Sequence, residues 1–288
     1  MRQKYILVIP LLLVIIATGC TTLPVGKFEE LKNSSNEILS KTSETYTRIE
    51  KLQRMFTVAT APNQPITADT FKPIILGQSF DITPELRFRE DALDVLNKYT
   101  NLLAALSSDD YQANIDKASL DLAGSLENLS SSTLKSDSEK VPKVTATLID
   151  IIGKQIVDHE KKEALKKAMD MSQQSIESLS RLVVSSNDKI KDFVNNNIEK
   201  QLIAHANITR PKYGSIDRYE YDLKVANMIS EVEEINSALD IIDQSMIQYP
   251  KAHKEIRASL ETKETKTEAL KDLIKEAQRA TKLYRNIK

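Results

Sequence analysis

The sequence predicts an all-α fold: an elongated antiparallel helical bundle with a long coiled-coil-like helical hairpin. Three observations carry this. The 288 residues include 6 glycines, no tryptophan and 5% aromatics, while 28% are charged, a balance that disfavours sandwiches and barrels. Apolar residues recur in alternating steps of three and four, the signature of one helix face. Two such stretches, 139–208 and 215–287, each cover about 70 residues. If continuous they would run roughly 100 Å at 1.5 Å per residue, against a radius of gyration near 20 Å for a compact domain of this size. The short loop between them enforces antiparallel order.

The first helix is expected over 28–56, where Phe28, Leu31, Ser35, Ile38, Thr42, Thr45, Ile49, Leu52 and Phe56 share a face. Its polar members make a weak seam, so it needs other helices to pack against. From 57 to 83 the period stops at Pro62, Pro65, Pro73 and Gly77. This predicts a long ordered loop with a short extended piece, serving as a connector or, alternatively, as a binding loop. A helical hairpin is expected over 84–131. Thr83-Pro84-Glu85 opens it with a cap, a first-turn proline and an acid at the positive helix end, and Ser107-Ser108-Asp109-Asp110 turns it.

The polar run 130–138 reads as a linker, followed by the first long helix from 139 to 208. The second long helix follows Thr209-Arg210-Pro211-Lys212-Tyr213-Gly214, with Asp217 and Glu220 as a capping box and a seam through Met228, Val232, Ile235, Leu239, Ile242, Met246 and Tyr249. The register continues past Pro250 through His253, Ile256, Leu260, Leu270 and Ile274. One kinked helix accounts for this; a tight turn at Pro250 is the competitor, since proline also starts helices. The whole of 28–288 is thus expected to form a single elongated domain.

The N-terminus carries a different signal. Arg2 and Lys4 precede an apolar run from Tyr5 to Ile16, then Ala17-Thr18-Gly19-Cys20. Charge, apolar core and small residues in that order describe a secretory signal peptide. The run of about 12 residues spans roughly 18 Å, too short for the ~30 Å core of a bilayer. Ala17, Thr18, Gly19 and Cys20 resemble the lipobox of bacterial lipoproteins, with Ala17 where that family usually has Leu. The resemblance implies removal of residues 1–19, diacylglycerol on the Cys20 thiol, acylation of the new amino group, and a lipidated tether over 20–27. More than one acyl chain anchors stably. Thr21 stands where an Asp would favour inner-membrane retention, so the resemblance implies the outer membrane, facing the periplasm, in a Gram-negative cell. The Tyr99–Leu129 region, with its Leu-Leu-Ala-Ala-Leu run, is similar to segments of uncharacterised helical lipoproteins, which implies no activity.

Signatures of chemistry are sparse. A net charge of −1 lacks the basic field of a nucleic-acid binder. Cys20 is the sole cysteine, which leaves the body without a disulfide. His159 opens His-Glu-Lys-Lys-Glu, but Glu163 stands where a zinc motif needs its second histidine. His253 falls on the apolar seam and reads as a hydrogen-bonded structural residue, with a pH sensor as the alternative. There is no phosphate-binding glycine loop and no Gly-x-Ser-x-Gly elbow. No catalytic residue, metal site or cofactor is expected.

The sequence therefore predicts a non-enzymatic, lipid-anchored cell-envelope protein that presents a helical surface to an envelope partner. The first alternative is a helical membrane-active protein, motivated by the hairpin and by the apolar stretch Val144–Val157, which is itself too short to span a bilayer. A small-ligand binder or enzyme using the 57–83 loop is the second.

Overall fold

A computed structural model describes residues 23–60, 74–75, 78–79, 83–108, 111–131, 161–212, 214–262 and 267–285. The expected signal peptide and lipobox with Cys20, most of the 57–83 loop, the 132–160 segment with Val144–Val157, and His159 lie outside the described residues.

The fold is all-α. Helix α1 (Val25–Thr60) is followed by a two-residue ladder, β1 (Ile74–Ile75) against β2 (Gln78–Ser79), pairing Ile74 with Ser79 and Ile75 with Gln78. Then come α2 (Thr83–Ser107), α3 (Tyr111–Ser131), α4 (Lys161–Asp192), a π-helical turn (Phe193–Glu199), α5 (Lys200–Thr209), a 3₁₀ turn (Arg210–Lys212), α6 (Ser215–Ser259) and α7 (Glu268–Arg285). The expected hairpin over 84–131 is present as α2 and α3.

Side-chain pairs set the helix directions. Asn97 Nδ2 donates to Asn36 Oδ1 at 2.6 Å, and Ser43 donates to Glu90, so α1 and α2 run antiparallel. Arg48 Nε donates to Glu231 Oε1 at 2.6 Å, and a second guanidinium nitrogen reaches Glu234. Ile38 and Thr45 share this interface with Ala238 and Ser245, and since Tyr99 meets Ser172 and Lys161 reaches the Ser108 carbonyl, α2 is antiparallel to α4, which with the α4–α6 pairs below makes α1 antiparallel to α6. Asn187 Nδ2 to Asp243 Oδ1 and Asn236 Nδ2 to Asn195 Oδ1, both 2.6 Å, make α4 antiparallel to α6. In order around the ring, α1, α2, α4 and α6 each touch their neighbours. Helix α3 covers α2, and α7 fills the furrow between α1 and α6, where Tyr284 meets Thr45 and Thr281 donates to Glu37.

The weak seam expected in α1 is buried as foreseen. Thr42 and Thr45 hydroxyls return to the carbonyls of Ile38 and Lys41 at 2.8 Å, so neither enters the core unsatisfied. Phe28, Leu31, Ile49, Leu52 and Phe56 join one continuous apolar cluster with residues of α2, α4, α6 and α7.

Four boundaries depart from expectation. Helix α1 starts at Val25, so the last three tether residues are helical: Pro24 suits the residue before a first turn, and Lys27 N–H bonds the Pro24 carbonyl at 2.9 Å. It also continues to Thr60, because Pro62 is the first residue able to stop it. The Asp217 capping box does not form. The N-cap is Gly214 in extended conformation, which places Asp217 inside the first turn where its charge suits the helix dipole.

The largest correction concerns 215–287. Helix α6 runs through Pro250, as the preferred kinked reading requires, but ends at Ser259, and α7 folds back as a separate helix from Glu268. Between Leu260 and Ala269 stand eight consecutive polar residues, a sequence that offers no apolar side chain to continue the seam. The Glu255 carboxylate takes both the Ala269 and Leu270 N–H groups, at 3.0 and 3.2 Å, and caps α7. Glu255→Ala is expected to cost about 1 kcal/mol, the worth of a cap. Amide exchange should speed up at Ala269 and Leu270 before the rest of the protein responds.

The π turn has a traceable cause. Ile190, Val194, Ile198 and Leu202 are all buried, four residues apart each time. In an α-helix such steps drift by about 40° each. One turn of wider i→i+5 bonding absorbs the drift and keeps the stripe on the core. Helices α4 and α5 therefore act as one rod from Lys161 to Thr209.

Candidate functional site

The α5–α6 hairpin projects past the bundle. None of residues 215–227 at the start of α6 is buried, and in α5 only Leu202 is. Of the other described helices, α1 accompanies the hairpin furthest, touching α5 and the π turn. The turn is set by Pro211, which cannot continue α5 with a normal hydrogen bond, and by Gly214, whose carbonyl accepts the Arg218 N–H at 2.8 Å.

Polar contacts hold the two arms together. Arg210 Nε donates to Asp222 Oδ2 at 2.9 Å, and His205 Nδ1 lies 3.3 Å from the Tyr221 hydroxyl. Five large apolar residues face outward. Ile216 is 77% exposed, Tyr219 69% and Ile208 67%, with Leu223 and Ile203 also exposed. Ile216, Tyr219 and Leu223 lie at i, i+3 and i+7, one stripe on α6. Leu223 is about 140° around the helix from Met228, where the core seam begins, so the stripe is turned away from the bundle. Large apolar side chains grouped on an otherwise charged surface mark an interaction site more often than isolated ones do.

The opposite end of the molecule holds the start of α1. Arg48 is level with Glu231 and Glu234, and the 23 residues before it bring Val25 level with the last turn of α6. From there to Ser215 is about 40 residues of helix, roughly 60 Å. Cys20 precedes Val25 by five residues.

Midway along the bundle, a buried polar layer locks α2, α4 and α6. His253 is fully buried. Its Nδ1 lies 2.6 Å from Gln173 Oε1, and its Nε2 lies 3.0 Å from the Tyr99 hydroxyl. Gln173 Nε2 donates to Glu177 Oε1 at 2.8 Å and to the Pro250 carbonyl at 3.4 Å. Both are pure acceptors, which orients the amide with its oxygen toward the ring. Nδ1 therefore carries the proton, Nε2 accepts from Tyr99 O–H, and the Ser172 hydroxyl, 2.5 Å away, donates to the tyrosine oxygen. One turn on, Tyr249 O–H donates to the Leu96 carbonyl at 3.0 Å beside Thr100.

Burial pushes the His253 pKa down to about 3 and the Tyr99 pKa well up, so both are neutral. With every group committed, the layer is a structural lock, in agreement with the reading of His253 from the seam. Toward the tip, Lys191 Nζ and Asn187 Nδ2 hold Asp243 at 2.7 and 2.6 Å, while burial raises its pKa.

Among the described residues there is no group of three metal-ligating side chains, and no helix long and apolar enough to cross a membrane. Of the histidines, His205 braces the hairpin and His253 the core; the structure does not bring them together. The tip stripe was not singled out from sequence, although its signal was there: three apolar residues at helical spacing on the face opposite the seam.

The fold and the tip define an all-α bundle with a projecting helical hairpin. The chain matches no protein-family model, no curated protein and no solved structure.

Proposed function

We propose that this chain is a lipid-anchored cell-envelope protein that holds the hairpin tip away from its membrane as a docking surface for an envelope protein. The supporting observation is polarity of the molecule: the start of α1, next to Cys20, and the exposed Ile208–Ile216–Tyr219–Leu223 surface lie at opposite ends, roughly 60 Å apart. The reading is non-enzymatic, since it uses surfaces and an anchor rather than a reacting group.

The signal layout at 1–20 supports the anchor. Mass spectrometry of the chain extracted from membranes is the test. The expected result is an N-terminal Cys20 bearing acyl mass, with no peptide from residues 1–19. A chain beginning at Met1, or an unmodified Cys20, would contradict it.

A further inference from the structure

The two furrows flanking α6 are treated differently. The one between α1 and α6 is filled by α7, while an open groove of about 670 Å³ runs between α4 and α6. Its apolar floor is Val184, Met246, Ile247 and Pro250. From Glu177 to Asp188 it is about 16 Å long, the reach of a medium-length acyl chain, and its volume lies in the range of small-molecule sites.

Two further observations describe the ligand: an unpaired hydroxyl that calls for a polar group, and a rim charge that sets its sign. Ser180, on the groove wall, is 2% exposed, and its hydroxyl has no hydrogen-bond partner. A helical serine ordinarily returns its hydroxyl to a carbonyl one turn back, and buried polar groups are rarely left unpaired. The rim carries Arg181, Lys251 and Lys254 against Glu177 and Asp188, one positive charge in excess. Glu177 is already engaged by Lys254 at 2.8 Å and by Gln173, so its charge is answered within the protein and Arg181 and Lys251 remain to attract an anion.

We propose that the α4–α6 groove binds a single-chain amphiphile with a monoanionic carboxylate head. The chain lies over Ile247, Met246 and Val184. The head meets the cations Arg181 and Lys251, and the Ser180 hydroxyl donates to it.

The test is photolabelling of the full-length protein in its own membranes with a diazirine-bearing dodecanoate, adducts being mapped by peptide mass spectrometry. Adducts are expected within 177–188 and 246–254. They should saturate, and be competed by dodecanoate but not by dodecyltrimethylammonium. Arg181→Glu and Lys251→Glu should each raise the half-saturating dodecanoate about tenfold, the worth of one charge-assisted hydrogen bond. Ile247→Asp, at a partly exposed site, should abolish labelling without unfolding the protein. Leu120→Asp, an exposed site on α3, should leave labelling unchanged. Labelling that is diffuse and unsaturable, equal competition by the cationic amphiphile, or indifference to both charge reversals would overturn the proposal. So would absence of labelling, the result expected if a helix of a second polypeptide fills the groove.

Discussion

Tyr99→Ala is expected to lower the unfolding free energy by about 4 kcal/mol, read as a drop in the urea midpoint. The side chain is buried to 1% exposure, and no described helix can collapse into the space it fills without moving α2, α4 and α6 together. Tyr99→Phe keeps the ring and removes only the hydroxyl. It strands His253 Nε2, while Ser172 keeps the Met169 carbonyl at 3.2 Å as acceptor, and should cost about 2 kcal/mol. Adding His253→Leu to Tyr99→Phe should cost less than the two single losses combined, since the second change removes the group the first left unpaired. Additive losses would mean that the Tyr99–His253 hydrogen bond does not couple the two helices.

Acid should weaken the protein through the same residue. The folded-state pKa of His253 is about 3, against about 6.5 for a free histidine. Asp170 and Glu177 favour the charged ring, Lys254 opposes it, and burial outweighs them. Between these two values the unfolded chain binds a proton that the folded chain refuses, so stability falls as pH drops and is complete above pH 6.5. The slope approaches 1.4 kcal/mol per pH unit, giving a loss of about 2 kcal/mol between pH 6.5 and 5. His253→Gln stays neutral throughout and should lack this component. Unfolding curves at pH 5 and 7 would show it, and an identical pH slope in the two proteins would refute the role given to His253.

Much of the bundle could be read from residue pattern because helical spacing and burial report the same physics. The α1 seam with Thr42 and Thr45, the α2–α3 hairpin and the continuity of α6 through Pro250 all follow from it. Periodicity could not see the reversal between α6 and α7, because a register kept through polar residues fits a straight helix and a folded-back one equally. The missing cue was eight polar residues without an apolar anchor, together with Glu255, whose carboxylate becomes a cap only once α7 lies alongside. The polar layer was half legible: His253 on a seam predicts a hydrogen bond, but Tyr99 and Gln173 meet it from 154 and 80 residues away. The groove needed the ring order of helices, which no local pattern encodes, whereas the tip stripe is written in Ile216, Tyr219 and Leu223 opposite the seam.

The most direct test of the docking role is site-specific photocrosslinking in cells, with the reactive side chain placed in turn at Ile216, Tyr219, Leu223 and, as a control, at Leu120 on α3, which is also exposed. One discrete adduct with an envelope protein is expected from the three stripe positions. None is expected from Leu120, and the adduct should be lost in Cys20→Ala, which removes the proposed anchor. Adducts that are equal at Leu120 and the tip, or that persist unchanged without the anchor, would contradict a binding surface held out at the end of the hairpin.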